Sequence, residues 1–210
     1  MLKGVIFDMD GLMIDTEKLL TRFWCEAANH YGYPMTKEHV LGIRSLAAKY
    51  AIPHLKGIFG EDFDYYKVRA KRIELMNEFI RQNGIEKKKG LDELLDNLDS
   101  TGLKKAVATA TDLQRTTLYL SSINIIDRFD KLICGNMIEN GKPAPDIYLA
   151  AAKELELDPS ECITLEDSPN GIRSAHTAGC KPVMIPDLSQ PDEETKKLLY
   201  ACCDDLSNVI

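Results

Sequence analysis

Two aspartates, Asp8 and Asp10, stand one residue apart where an apolar run ends, in the stretch VIFDMDGLMIDT. Side chains two residues apart point to the same side of an extended strand, so both carboxylates could reach one ligand. Asp and Gly are also common in ordinary turns after a strand. Taken alone, the pair is therefore either a turn or a nucleophile beside its acid/base partner.

Three other groups that could do chemistry follow apolar runs or stiff turns further along the chain. They are Thr109-Ala110-Thr111, Glu166-Asp167-Ser168, and Lys142 in the sequence GKPAP. The carboxyl ends of parallel strands meet at one edge of a sheet, where ligands bind. If the strands are parallel, the threonine and carboxylate groups converge there with the two aspartates, while Lys142 stands in a stiff turn just ahead of a predicted helix.

The chemistry of such a cluster is that of a phosphate site. Converging carboxylates repel one another, and a hard divalent cation such as Mg²⁺ is the usual way to neutralise them. A carboxylate beside Mg²⁺ can attack phosphorus. Thr109, the amides after it and the Lys142 ammonium can donate to the phosphoryl oxygens. Asp10 could then protonate the leaving oxygen and later deprotonate water.

The elements that must position these groups alternate along the chain. Helical stripes separate the strands, at positions 91, 94, 95 and 98 and at positions 148, 151, 152 and 155. This alternation predicts an α/β fold with a doubly wound parallel sheet. Five short runs rich in Val, Ile and Leu are predicted to be its buried strands: 2–7, 105–108, 131–134, 162–165 and 182–185.

One interval, residues 14–83, shows only helical periodicity and is predicted to be an inserted helical cap. The remaining residues, 1–13 and 84–210, would form the α/β core. Pro34, Pro53, Gly57 and Gly60 are taken to mark turns between the cap helices. Because about 70 residues is near the lower limit for an independent core, we expect the cap to lean on the core and to move relative to it.

Composition argues against several kinds of partner. The formal charge is −7, which opposes binding to nucleic acid or to an anionic membrane surface. No apolar run approaches the ~20 residues needed to cross a bilayer. The six cysteines show no metal-ligand or CxxC spacing, as expected of reduced thiols in the cytoplasm. Nothing in the sequence demands more than a monomer.

Together the four groups resemble the haloacid dehalogenase-like (HAD) superfamily, in its branch of small phosphatases and beta-phosphoglucomutases. FDMDGLMIDT is similar to the first family motif, DxDGxxxDT, and Thr109 to the Ser or Thr of the second. Lys142 matches the third motif, and Glu166-Asp167 the fourth. The resemblance covers nearly the whole chain, including the inserted cap, and implies a Rossmann-like core with strand order 3-2-1-4-5.

The resemblance also implies a role for each residue. Asp8 would be the nucleophile that becomes an aspartyl phosphate, and Asp10 the general acid/base whose backbone carbonyl also binds Mg²⁺. Asp167 would bind the metal directly, and Glu166 would act through water or from behind the direct ligands. The phosphate would be held by Thr109, Ala110 and Lys142. The expected enzyme is an Mg²⁺-dependent phosphatase of a small phosphate monoester, a sugar or polyol phosphate above all.

Two other functions stay open from the sequence. A phosphosugar mutase would use the same nucleophile and metal, but that branch has DTAEYH where this chain has DTEKLL, so Leu20 replaces its histidine and favours hydrolysis. A non-catalytic module that binds a phosphometabolite is the third reading. Dehalogenases generally lack the second aspartate, so Asp10 argues against them.

Residues at three further places in the sequence also have ordinary structural readings. Arg44 in the cap could contact the substrate or be an ordinary surface arginine. Asp15 or Thr16 could simply cap the first cap helix. At the fourth motif, Ser168 as N-cap and Pro169 at the first helical position would make a good helix start.

Overall fold

The computed structural model describes residues 1–209, and a parallel sheet lies at their centre. Six strands form it in the order β3-β2-β1-β4-β5-β6. Their bounds are β1 (Gly4–Phe7), β2 (Lys104–Thr109), β3 (Lys131–Cys134), β4 (Cys162–Glu166), β5 (Lys181–Met184) and β6 (Ala201–Cys202). The predicted α/β class, the parallel sheet and the order of the first five strands are confirmed.

β1 is the central strand, and its register sets the level of the residues that follow it. Phe7 pairs with Val107 of β2 on one side and with Leu165 of β4 on the other. Asp8 therefore follows β1 at the level of Glu166, where β4 ends. All four residues of β1 are buried, as expected of a strand covered on both faces.

Residues 14–83 form four helices and no strand: α1 (Glu17–His30), α2 (Lys37–Gly42), α3 (Ala48–Phe59) and α4 (Tyr65–Asn83). These helices have a small apolar cluster of their own, around Trp24, Leu55 and Val68. Phe23 of α1 and Met76 of α4 belong instead to the main core cluster. The helices thus lean on the sheet, while the division into core and cap at 13/14 and 83/84 stays a prediction.

Helices on both faces of the sheet complete the core. The helices after the insertion are α5 (Leu91–Thr101), α6 (Leu113–Ser122), α7 (Asp146–Glu154), α8 (Pro169–Thr177) and the short α9 (Glu193–Lys196). The leucine stripe of α5 packs with Phe7 and Val107 on one face. The stripe of α7, including Tyr148 and Ala151, packs with Ile6 on the other.

The structure corrects the expected turn markers. Pro53 and Gly57 do not lie in turns, because both are inside α3. Proline has no N–H to donate to the carbonyl four residues earlier, but the burial of Ala51 and Leu55 supports the helix around it. The sixth strand, β6, was not predicted. In the described residues, none of the helices combines the length and hydropathy that a membrane span requires.

Candidate active site

Asp8 is the first residue beyond β1, and the sheet fixes its backbone. The Asp8 N–H donates to the Leu165 carbonyl of β4 at 3.0 Å. Only 4% of Asp8 is exposed, whereas Glu166 and Asp167 at the end of β4 are fully buried. The strand ends therefore bring these three carboxylates to one point, as the parallel sheet predicted.

Lys142 lies between two of these carboxylates. Its ammonium contacts Asp8 Oδ1 and donates to Glu166 Oε1 at 2.6 Å and to the Ala108 carbonyl at 3.2 Å. The side chain is only 1% exposed, which suits a lysine that carries charge to an interior site. The Tyr148 hydroxyl donates to the same Glu166 oxygen at 2.6 Å.

Burial and the charge of the partner act in opposite directions on the pKa values of Asp8 and Lys142. Burial raises the pKa of Asp8 to about 7, with help from the negative Glu166, although the Lys142 charge lowers it. For Lys142, burial alone would lower the pKa, but the charges of Asp8 and Glu166 outweigh burial and raise it. Lys142 thus stays an ammonium, and a cation bound beside Asp8 would favour its carboxylate form.

The start of α8 fixes Glu166 and Asp167. Ser168 caps this helix, because its Oγ accepts from the Gly171 N–H at 3.1 Å, and Pro169 is the first helical residue. Both positions agree with the sequence prediction. The Ser168 hydroxyl also donates to Glu166 Oε2 at 3.1 Å. A Cβ on Gly171 would overlap the Glu166 carboxylate, so glycine is needed for this close approach.

The three buried carboxylates form a set that fits a divalent cation. Asp8, Glu166 and Asp167 each offer an oxygen, and these oxygens lie within 4.8 Å of one another. Asp167 Oδ1 is buried without a hydrogen-bond partner in the described part of the chain, as a free metal ligand would be. Gly11 has a φ of +86° and a Cβ there would overlap Asp167, so the loop after Asp10 also requires glycine.

Asp10 faces hydroxyl groups and not the three clustered carboxylates. Thr16 donates to its Oδ1 at 2.6 Å, and Thr111 donates to its Oδ2 at 2.8 Å. The Thr109 hydroxyl is 3.4 Å from Oδ2 and accepts from the Thr111 N–H at 3.1 Å. Thr16 stands at the N-cap of α1, but its side chain makes no capping hydrogen bond there. Its hydroxyl donates to Asp10 instead.

The insertion supplies the opposite wall of the site. Arg44 is buried, so the reading of a surface arginine is wrong; its guanidinium contacts Asp167 Oδ2, and its Nε lies 3.3 Å from Glu17 Oε2. Burial raises the pKa of Glu17 to about 8, opposed by Arg44 and reinforced by Asp10. A cavity of about 410 Å³ lies between the two walls, and it is lined by both aspartates, Thr109, Ala110, Lys142, Leu20 and Arg44.

Two residues of this site, Glu17 and Tyr148, escaped the sequence analysis, as did the hydrogen bond from the Thr111 hydroxyl to Asp10. Tyr148 belongs to an apolar helical stripe, where a tyrosine reads as packing. Glu17 follows Asp15-Thr16 at a helix start, where an acidic residue is ordinary. Thr111 comes three residues after the predicted strand end at position 108, and this spacing is the one signal that could have indicated its contact with Asp10.

Residues 5–185 match the model of a family described as haloacid dehalogenase-like hydrolases. The match covers most of the chain and includes the three strand-end groups and Lys142. The chain belongs to this haloacid dehalogenase-like hydrolase family.

Its relatives place the chain in the branch of beta-phosphoglucomutases and small phosphatases, as the sequence predicted. A phosphorylated carbohydrates phosphatase of Thermotoga maritima is 29% identical over 87% of this chain and 84% of its own length. Hexitol phosphatase A of Escherichia coli is 29% identical over 87% of this chain and 82% of its own. The chain is an enzyme of this phosphatase branch.

A solved structure shows the same fold over the whole chain. The beta-phosphoglucomutase of Clostridium difficile superposes with a TM-score of 0.84, covering 100% of this chain and 94% of that one at 23% identity. The likeness extends through the helical insertion as well as the sheet.

Proposed function

We propose that this protein is an Mg²⁺-dependent phosphatase that hydrolyses a small sugar or polyol phosphate through an aspartyl phosphate. The observation that carries the proposal is the pairing at the end of β1. Asp8 is buried against Lys142 on one side, and Asp10 is held by threonine hydroxyls on the other. Both line one cavity of a size suited to a small ligand.

In the first half of the reaction, an Asp8 oxygen attacks phosphorus and the bond from phosphorus to the ester oxygen breaks. Asp10 gives its proton to the departing oxygen, which leaves as an alcohol. In the second half, Asp10 takes a proton from water, whose oxygen attacks the aspartyl phosphate and releases inorganic phosphate and the Asp8 carboxylate. Thr16 and Thr111 hold Asp10 in position for both transfers.

Three groups are assigned to the phosphoryl oxygens. The Lys142 ammonium is adjacent to Asp8, where the phosphorus must come. Thr109 and Ala110 line the same cavity at the end of β2. Hydroxyl, amide and ammonium donors fixed before the reaction stabilise the charge that develops on those oxygens.

Mg²⁺ would be held by Asp8, Asp167 and Glu166, together with the backbone carbonyl of Asp10. When bound, it would supply positive charge that offsets the repulsion between the attacking carboxylate and the phosphate ester. The clustered oxygens and the unpartnered Asp167 Oδ1 support this assignment.

Hydrolysis is preferred over mutase chemistry because of Leu20. This apolar side chain lines the cavity at the position where the mutase branch has a histidine. The named activities of the Thermotoga and Escherichia relatives, both phosphatases of carbohydrate or hexitol phosphates, support the same choice. The fold shared with a mutase does not separate the two reactions.

The test is phosphate release from a panel of sugar and polyol phosphates, with and without Mg²⁺. We expect Mg²⁺-dependent release by the wild type and a loss of at least about 10³-fold in Asp8→Asn, since an amide is not a nucleophile toward phosphorus. The matched control is Asp127→Asn, an exposed residue remote from the cavity.

Three results would contradict the proposal. Unchanged turnover by Asp8→Asn would remove Asp8 as the nucleophile. Conversion of beta-glucose 1-phosphate to glucose 6-phosphate with little free phosphate would identify a mutase. Failure to hydrolyse even a generic aryl phosphate in the presence of Mg²⁺ would instead favour a non-catalytic binding module.

A further inference from the structure

A buried arginine on the cap wall of the cavity has no acidic partner. Arg72 of α4 is only 5% exposed, and its Nε has no hydrogen-bond partner within residues 1–209. Within the described residues, the side-chain hydrogen bond that its guanidinium makes is to the Met76 sulfur at 3.9 Å, and the guanidinium lies 5.3 Å from the ring centroid of Trp24. Burying an unpaired charge lowers the stability of the fold, so a binding role for this arginine should be considered.

Two more arginines lie around it. Arg69 is one helical turn earlier on the same helix, half-buried and also on the cavity wall. Arg115 lies on α6 of the core, buried, with its Nε 2.8 Å from Asp112. Burial, together with the charges of Arg115 and Arg69, lowers the pKa of Arg72 to about 10. Like charges thus face one another between cap and core.

Three acids that line the cavity do not neutralise Arg72, because each contacts another cation. Asp8 contacts Lys142, Glu17 pairs with Arg44, and Asp112 pairs with Arg115. Within the described residues, no carboxylate lies within 4.0 Å of the Arg69 or Arg72 guanidinium. The cavity wall opposite Asp8 therefore carries surplus positive charge.

We infer that Arg72, with Arg69 and Arg115, binds a second anionic group of the substrate, a carboxylate or a second phosphate, while Asp8 attacks the first phosphate. The preferred ester is then a phosphorylated sugar acid or a sugar bisphosphate, not a neutral sugar phosphate. An anion in this position would contact cap and core together. The inference rests on the proposed function, which places the reacting phosphate of the substrate at Asp8.

The test compares esters that differ in one charge. Kinetics are measured on 6-phosphogluconate against sorbitol 6-phosphate, and on fructose 1,6-bisphosphate against fructose 6-phosphate. We expect wild-type kcat/KM to favour the anionic member of at least one pair by about tenfold or more, since a buried charge pair strongly affects binding. The pair that shows the preference distinguishes a carboxylate from a second phosphate.

Variants locate the preference. Arg72→Gln should reduce the anionic/neutral ratio of kcat/KM to about 1, mostly through KM, and Arg72→Lys should retain part of it because the charge is kept. The matched control is Arg81→Gln, an arginine on the same helix that is exposed and paired with Glu78 at 2.7 Å. It should leave the ratio unchanged.

Binding to Asp8→Asn by calorimetry keeps this inference separate from the proposed function. If no ester is hydrolysed, tighter binding of 6-phosphogluconate or fructose 1,6-bisphosphate than of the neutral partner, lost in the Asp8→Asn/Arg72→Gln double variant, still supports the anion site. No preference in the wild type would overturn it. So would an equal loss on both members in Arg72→Gln, because the arginines would then serve the phosphate common to both.

The melting temperature separates a binding role from a structural one. Removing an unpaired buried charge should leave the unliganded Arg72→Gln protein at least as stable as the wild type. If Arg72→Gln melts well below the wild type and Arg69→Gln retains the full preference for the anionic ester, the arginines serve packing and the inference fails.

Discussion

At the scale of single residues, the site depends on close approaches that only glycine permits. Gly171 in the first turn of α8 lies against the Glu166 carboxylate, which in turn accepts hydrogen bonds from Lys142 and Tyr148 at 2.6 Å each. A side chain at position 171 would displace the Glu166 carboxylate and so disturb its hydrogen bonds with Lys142 and Tyr148. The effect of this crowding on stability can be measured against a control, because another helical glycine has open space around it.

We expect Gly171→Ala to lower the free energy of unfolding by about 1–3 kcal/mol, the usual cost of overpacking. It should also weaken Mg²⁺ binding, because Glu166 must move. Gly57→Ala in α3 is the control: no heavy atom lies within 4 Å of a Cβ there, so it should stabilise by about 0.5–1 kcal/mol. Urea unfolding and Mg²⁺ calorimetry measure both. A Gly171→Ala protein as stable as the wild type would contradict the crowding.

The sequence predicted the residues that follow strands better than those that lie on helices. Asp8, Thr109 and Asp167 come directly at strand ends, where the parallel sheet gathers them. Arg72 and Tyr148 lie on amphipathic helices, and periodicity assigns such side chains to packing. Their partners come from distant parts of the chain, so contact with them cannot be read from local spacing.

At the scale of elements, the segment from β2 to α6 links the two walls of the site. Thr109 and Thr111 hold Asp10, and the next residue, Asp112, caps α6 through the Arg115 N–H at 3.0 Å. The carboxylate also accepts from Arg115 Nε at 2.8 Å. Burial alone would raise the pKa of Asp112, but these hydrogen bonds outweigh it and hold the pKa below its usual value.

We expect Asp112→Ala to lower the free energy of unfolding by about 1 kcal/mol at pH 7, the typical value of an N-cap. A depressed pKa stabilises the fold fully above the unfolded value of about 3.9, and this contribution is lost as the pH falls through the folded value. The difference from the wild type should therefore shrink below about pH 4. Urea unfolding at pH 7, 5 and 3 measures it.

Asp112→Asn separates the cap from the charge. Asparagine is a good N-cap but is neutral, so it should recover part of the loss and remove the dependence on pH. A difference between wild type and Asp112→Ala that is constant from pH 7 to pH 3 would contradict a role for the ionised carboxylate.

The elements were predicted where a run of apolar residues is long enough to be distinctive. The five strands of four to six residues were found, but β6 has two residues, Ala201 and Cys202, and no periodicity. Pro53 was misplaced because proline predicts a break from local sterics alone. In α3 the burial of neighbouring apolar side chains outweighs that local preference.

At the scale of the whole molecule, the insertion touches the core around the cavity mouth. The Ala47 N–H donates to the Lys142 carbonyl at 3.1 Å, and Asn170 Nδ2 donates to the Arg44 carbonyl at 3.0 Å. These contacts join residues 44–47 to the loop that carries Lys142 and to the segment that follows Asp167. The positions of cap and core relative to each other thus bear directly on the site.

We expect a phosphate mimic to favour this arrangement, because closure would shield the aspartyl phosphate during transfer. Trp24 is the single tryptophan, and it lines the cavity beside Arg72. Orthovanadate with Mg²⁺ should therefore shift its fluorescence and reduce the radius of gyration by small-angle scattering. Equal concentrations of chloride are the control. Superimposable scattering profiles and unchanged emission under inhibition by vanadate would contradict closure.

The edges of the sheet have a consequence for how copies of this chain behave at high concentration. One edge is β6, with two residues, and the other is β3, with four residues and an exposed lysine, Lys131, at its start. An edge strand invites pairing with another chain in proportion to its unpaired N–H and C=O groups, and short or lysine-bearing edges offer few. The sheet is thus protected against edge-to-edge aggregation at both ends.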